Sequence, residues 1–419
     1  MKPLRRFGPC VGVLAIAIFS LLTLASATAR QPPVGFELVT TDGKTQSGQL
    51  RELKPDGQIR LANSNTAVTV DAWLTLRRDS LPLPPHPRGP QIVFFNGDRV
   101  RLAAKPTVSL SGKQLRFEPS SPLLAKAGTL ETQLSSVALI WLAAPDGADD
   151  PPLLLRQLAA GPHAKDLVLL RDGDRVEGDI TAIDSAKGCQ VATGSRQVQV
   201  AWSSIAAVAL HSTGRNVVVP PQRHYHLVLE DGCRLLLKTA EFVPAAKTLI
   251  GKTVFDKDVQ ISLAKIVGLD VRGGAATYLS DLKPTKYEHT AFAGPAWPLV
   301  LDGGVSGHEL RLAGSTIDKG LGTHAQCRVT YSLAGTYCWF EARVGLDPDH
   351  GQRGRVKLRV SVDGKERDLG WNKELTARDA PLALRIDVAK GRELTLEVLW
   401  AGFGDVQGHV NWADARVIR

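Results

Sequence analysis

Hydrophobic positions follow two regimes along the chain. In the last third they alternate with polar ones. Val356, Leu358, Val360 and Val362 interleave with Arg355, Lys357, Arg359 and Ser361, and the same period of two runs through Leu382, Leu384, Ile386 and Val388 and through Leu394, Leu396, Val398 and Trp400. Such runs are antiparallel strands buried on one face. Asp363-Gly364, Ala389-Lys390-Gly391 and Ala401-Gly402 supply the turns, so residues 277–419 are predicted to form a β-sandwich. In the first two thirds the apolar residues come in unbroken runs, each leading into a Gly turn. Phe36-Glu37-Leu38-Val39 precedes Asp42-Gly43, and Ile92-Val93-Phe94-Phe95 precedes Asn96-Gly97. Leu167-Val168-Leu169-Leu170 precedes Asp172-Gly173, and Leu227-Val228-Leu229 precedes Asp231-Gly232. Asn-Gly and Asp-Gly between apolar runs mark hairpins, because the turn needs positive φ.

These four segments share a plan. Three continue almost identically, with Asp98-Arg99-Val100, Asp174-Arg175-Val176 and Cys233-Arg234-Leu235. Each closes on a second apolar run, the first being Ala72-Trp73-Leu74-Thr75-Leu76 and the last Leu263-Ala264-Lys265-Ile266-Val267-Gly268-Leu269. The turn glycines lie 54, 76 and 59 residues apart, too irregular for a solenoid or a propeller. The predicted fold is therefore all-β: four small barrel-like β repeats (34–80, 91–144, 165–213 and 224–273) followed by the sandwich. The strand, DGDRV turn, strand pattern resembles, generically, the first half of Sm-like or SH3-like barrels. Residues 81–90 (LPLPPHPRGP) read as an extended spacer, and the Leu-rich stretch within 145–165 as one or two helical turns.

Composition adds a compartment. Lys2, Arg5 and Arg6, the apolar run 11–24 and the small residues 25–29 form a signal-peptide pattern over residues 1–29. The run is too short to span a bilayer, and no later stretch is long enough, so the expected location is secreted or periplasmic. The formal charge of +9 falls to +6 without the three leading cations, which gives no reason to expect nucleic acid. Cys189, Cys233, Cys327 and Cys338 remain, with no C-x-x-C spacing to suggest zinc or redox chemistry. Cys327 and Cys338 are expected to pair, on the reading that their strands are hairpin neighbours across Ser332-Leu333-Ala334-Gly335.

Several ordered motifs of the last third carry a resemblance. They are Tyr278-Leu279-Ser280-Asp281-Leu282, Lys319-Gly320-Leu321-Gly322-Thr323-His324-Ala325, Val344-Gly345-Leu346-Asp347, Val360-Ser361-Val362-Asp363-Gly364-Lys365 and His409-Val410-Asn411-Trp412-Ala413-Asp414-Ala415. Together they resemble the carbohydrate-binding module named after the family 98 glycosyl hydrolases. The resemblance implies a galactose-binding-like jelly roll and a glycan partner. The family's closing motif usually has Asp-His where this chain has Gly408-His409, so one carboxylate is missing. Sugar rings stack on aromatic faces while their hydroxyls need fixed polar partners. On that basis His324, His409, Asn411 and Trp412 are the expected ligand-binding residues. Trp339, which alternates with Glu341 and Arg343 and so faces away from the core, is either covered or offered to a ligand.

Signals for catalysis are absent. Gly320-Leu321-Gly322-Thr323-His324-Ala325 fits a dinucleotide motif in letters, but a strand follows it where a helix is required. His224-Tyr225-His226 offers two imidazoles on one strand face, short of a metal site. Asp347, Asp349 and His350 form an acidic loop that could hold a structural Ca²⁺; no other cofactor is expected. The leading reading is an exported, non-catalytic protein that binds a galactose-type glycan or cell-envelope polysaccharide. One alternative is a structural or assembly protein whose β repeats contact protein partners. Another is a glycan-acting enzyme with an unrecognised site.

Overall fold

A computed structural model describes residues 34–120, 123, 128–211, 217–292, 294–402, 404 and 406–419; the signal-peptide pattern lies outside them. The protein is all-β, and Pro151–Ala160 is the one α-helix among the described residues. Strand Gly35–Thr40 turns back into Thr45–Leu53, and Trp73–Arg78 later returns to pair with the first strand. The same closure joins Gln91–Phe94 to Val137–Trp141, Asp166–Leu170 to Ile205–Ala209, and His224–Leu229 to Ile266–Arg272. Gly43, Gly97, Gly173 and Gly232 take φ of 83–93° in the opening turns, a region costly to a residue with a Cβ. Each returning strand is entered through a turn of 3₁₀ helix, which is why the closing segments look alike.

These meanders are not strung apart on spacers. The returning strands pair with one another, Val137–Trp141 with Ile205–Ala209 and Trp73–Arg78 with Ile266–Arg272. One hydrophobic core runs from Phe36 to Val271. That fusion explains the unbroken apolar runs, since their strands are covered on both faces. One face meets the shared core. The other meets either Leu155 and Leu158 of the helix or the C-terminal sandwich, through Val228 and Val267. The Pro-rich stretch 81–90, expected to be a spacer, is clamped instead. Leu83 is buried, the Pro84 carbonyl accepts from Arg234, and His86 lies between Glu309 and Asp318.

The sandwich has two antiparallel sheets. One runs Val300–Leu301, Gly320–His324, His409–Ile418, Trp339–Leu346, Leu382–Asp387. The other runs Lys286–His289, Cys327–Ser332, Glu393–Trp400, Arg355–Val362, Lys365–Glu366. The alternating residues read from the sequence face each other between them. The expected Cys327–Cys338 disulfide is not formed; Cys189, Cys233, Cys327 and Cys338 are all free. Cys327 starts a strand of the second sheet, whereas Cys338 precedes a strand of the first, so the chain crosses the sandwich between them. Five strand residues at ~3.3 Å each put the two sulfurs at opposite ends, far beyond the ~7 Å Cα limit for a bridge. No helix among the described residues is long and apolar enough to cross a membrane.

Candidate functional site

Alternation along His409–Ile418 sorts the expected ligand residues onto two faces. Val410 and Trp412 enter the sandwich core, and His409 and Asn411 face outward. Trp412 is fully buried and its Nε1 donates to Thr323 Oγ1, so the expectation that it forms a sugar platform is corrected. Asn411 is 1% exposed. Its amide nitrogen donates to the Arg311 carbonyl at 3.0 Å and to Asp347 at 2.9 Å, a structural post beneath the loop that crosses this face. Trp339 is covered: Arg385 stacks 4.5 Å over its ring, and Leu74, Ala276 and Ile418 pack around it.

His324 and His409 do meet. Register sets them opposite each other where strands Gly320–His324 and His409–Ile418 adjoin, with ring centroids 4.9 Å apart. Trp297 completes the group. Its ring stacks on His324 at 4.8 Å and 15°, and meets His409 edge-on at 5.3 Å. The backbone of Trp297 is held from both sides: Tyr287 Oη donates to its carbonyl, and its N–H donates to His289 Nδ1. That second bond makes Nδ1 of His289 the acceptor, and its Nε2 lies 3.3 Å from the Ala325 carbonyl. Trp297 had a readable signal, since a Trp between Gly294-Pro295 and Pro298 has no strand to bury it.

Burial, followed by the neighbouring His324, pushes His409 down to about 4, so it is uncharged near neutral pH. Its Nδ1 is buried without a hydrogen-bond partner. Beyond it the imidazoles continue. His350 lies 6.1 Å from His409 and stacks on His308 at 4.5 Å, Ser306 Oγ sits between their Nδ1 atoms, and His308 reaches Asp150 at 2.7 Å. Of the loop considered for Ca²⁺, Asp347 is spent on the N–H groups of Asp349 and His350 and on Asn411, and Asp349 on Arg311. No metal-ligand cluster occurs among the described residues. His226, the other candidate, is buried between Asp270 and Asp318. The Trp297–His324–His409 group thus combines a half-exposed aromatic face with an uncharged, hydrogen-bonding His409, a combination suited to an uncharged polyol.

Residues 275–418 match the NPCBM/NEW2 domain family. No curated protein matches the chain. Among solved structures, a CBM51 module from a GH95 enzyme of Clostridium perfringens, in complex with methyl-galactose, is 24% identical over 34% of this chain and 99% of its own, with a TM-score of 0.30. The tandem CBM51 modules of a Streptococcus pneumoniae family 98 glycoside hydrolase are 13% identical over 68% of this chain and 98% of theirs, with a TM-score of 0.30. A C. perfringens structure of the ZmpB CBM51-2 and INT domains with GlcNAc is 24% identical over 44% of this chain, which covers 40% of that one, with a TM-score of 0.31.

Proposed function

We propose that the sandwich is a non-catalytic binder of a neutral, galactose-type glycan, and that its site is the Trp297–His324–His409 group. The observation that carries this reading is the half-exposed Trp297 ring beside the unpartnered His409 Nδ1, inside the segment that matches a carbohydrate-binding family. Export is part of the proposal and rests on the pattern of residues 1–29.

A site of one aromatic face and two imidazoles offers few contacts to offset the hydration of a monosaccharide. The affinity expected is ~0.1–1 mM. Titration of the chain with galactose, N-acetylgalactosamine and glucose should give saturable binding with preference for the first two. Trp297→Ala, once shown to fold, should weaken it about tenfold or more, the stacking contribution being ~1–1.5 kcal/mol beyond area. No saturable shift with any of the sugars, or equal binding by the folded variant, would move the conclusion to the assembly-protein reading.

A further inference from the structure

A cavity of about 300 Å³ lies where the turn after Gln91–Phe94, the end of the Pro151–Ala160 helix and the sandwich segment 301–319 come together. Its wall is charged. Arg99, Arg156, Arg272 and Lys319 bring four cations to it, Asp98, Asp302 and Asp318 bring three carboxylates, and His226 faces it from the strand His224–Leu229. Arg99, only 8% exposed, has its guanidinium 3.4 Å from Gln91 Oε1. Arg156 donates to the carbonyls of Gly307 and Asp302. Arg272 lies over Tyr278, and its buried Nε has no partner. None of the three forms an ion pair with a carboxylate among the described residues. Two acids of the wall are already paired, Asp318 with Arg234 and His86, and Asp302 with Lys319.

Arg272 has Asp98 as a neighbouring charge, and Arg99 and Arg156 feel Glu309, Asp318 and Asp302 from beyond ion-pair distance, so the three guanidinium groups keep donors that no carboxylate pairs directly and that an anion could take. Burial, followed by Arg156, already pushes Arg99 down to about 10. One further atom restricts the anion. Asp98 is 1% exposed; one carboxyl oxygen accepts from Leu236 N–H, and the other is buried without a partner. A ligand that fits must accept from guanidinium forks and also donate to a carboxylate. A hydroxylated carboxylic acid does both. The volume is at the small end of ligand sites, which admits one ring and not a chain.

We propose that this cavity is a second binding site, for a monomeric sugar acid whose carboxylate lies against Arg99 and Arg272 and whose hydroxyl donates to Asp98. It is separate from the Trp297 site and does not depend on it.

The test is calorimetric titration of the whole chain with D-galacturonate and D-glucuronate, alongside galactose and inorganic phosphate. At least one uronate should bind saturably, and galactose should not compete with it. Arg99→Gln and Arg272→Gln should each weaken that binding about tenfold or more, because each removes a charge-assisted pair, while Trp297→Ala leaves it unchanged. Arg99→Lys and Arg272→Lys keep the charge and lose the fork, so they should fall between; they carry the test if a Gln variant fails to fold. Failure of both uronates to bind, equal binding by the folded arginine variants, or binding of phosphate alone would overturn the proposal.

Discussion

A buried titratable side chain reports its surroundings through the pH at which it costs stability. Asp98 is the clearest case. Burial raises it to about 7, against the bonds from Leu236 and Asn96 that lower it. A carboxyl whose folded value lies above its unfolded one (about 3.9) contributes stability that is full below the unfolded value and disappears as pH rises through the folded one. Asp98→Asn keeps the oxygen that accepts from Leu236 N–H and removes the titration. The variant should gain on the wild type as pH rises from 5 to 8. Roughly two units of the gap between the folded and unfolded values fall within that window, which bounds the gain at about 3 kcal/mol, and relaxation takes a good part of it. Urea midpoints at the two pH values measure this, and a pH-independent difference would refute it. His226 and His409, both pushed down to about 4 by burial, oppose it: their stability is present above about 6.5 and declines towards pH 4.

At the scale of elements, the Pro151–Ala160 helix joins both halves of the molecule. Asp150 is its N-cap, accepting from Leu153 N–H at 3.0 Å, and two prolines occupy the first turn, where their missing N–H groups cost nothing. The same carboxylate also takes His308 of the sandwich. Asp150→Ala should therefore destabilise by ~1–2 kcal/mol and Asp150→Asn by less, read as shifts in the unfolding midpoint; equal, negligible shifts would mean that the cap contributes nothing. The stop-and-start chemistry around this helix is present in Asp149-Asp150-Pro151-Pro152 and Gly161, yet its full length is not, because Leu153-Leu154-Leu155 has no helical period by itself. Turn glycines and period-two runs are readable because they are set by φ and by one buried face. Trp412 departs from expectation for the converse reason: adjacency in sequence is not adjacency in space, since alternation sends neighbours to opposite faces. Trp297 and the arginines of the cavity come together only through the packing of distant segments, which no local pattern encodes.

The whole molecule is held by a seam that is polar and apolar at once. Leu83, Val228 and Val267 pack on Leu310, Leu312 and Ile317, and beside them Arg77 pairs with Asp270 and Arg234 with Asp318. Arg234 is 1% exposed, and its other donors reach the carbonyls of Gly232 and Pro84. Burial would raise Asp318, but Arg234, with His86 and His226, holds it well below the usual carboxylate range. Its contribution is therefore present above about pH 4 and is lost only as pH falls below that value. Removing one member of a buried pair strands the other, at ~3–5 kcal/mol. Asp318→Ala at pH 7 should lose about that much and, because Asp318 also anchors His86 of the 81–90 stretch, should loosen the sandwich from the meanders. Unfolding followed by tryptophan fluorescence provides the reading, with Trp73, Trp141 and Trp202 on one side and five tryptophans on the other. The wild type should unfold in one transition and Asp318→Ala in two. A single transition in both proteins, shifted by less than ~1 kcal/mol, would mean that the apolar part of the seam holds the molecule without the ion pairs.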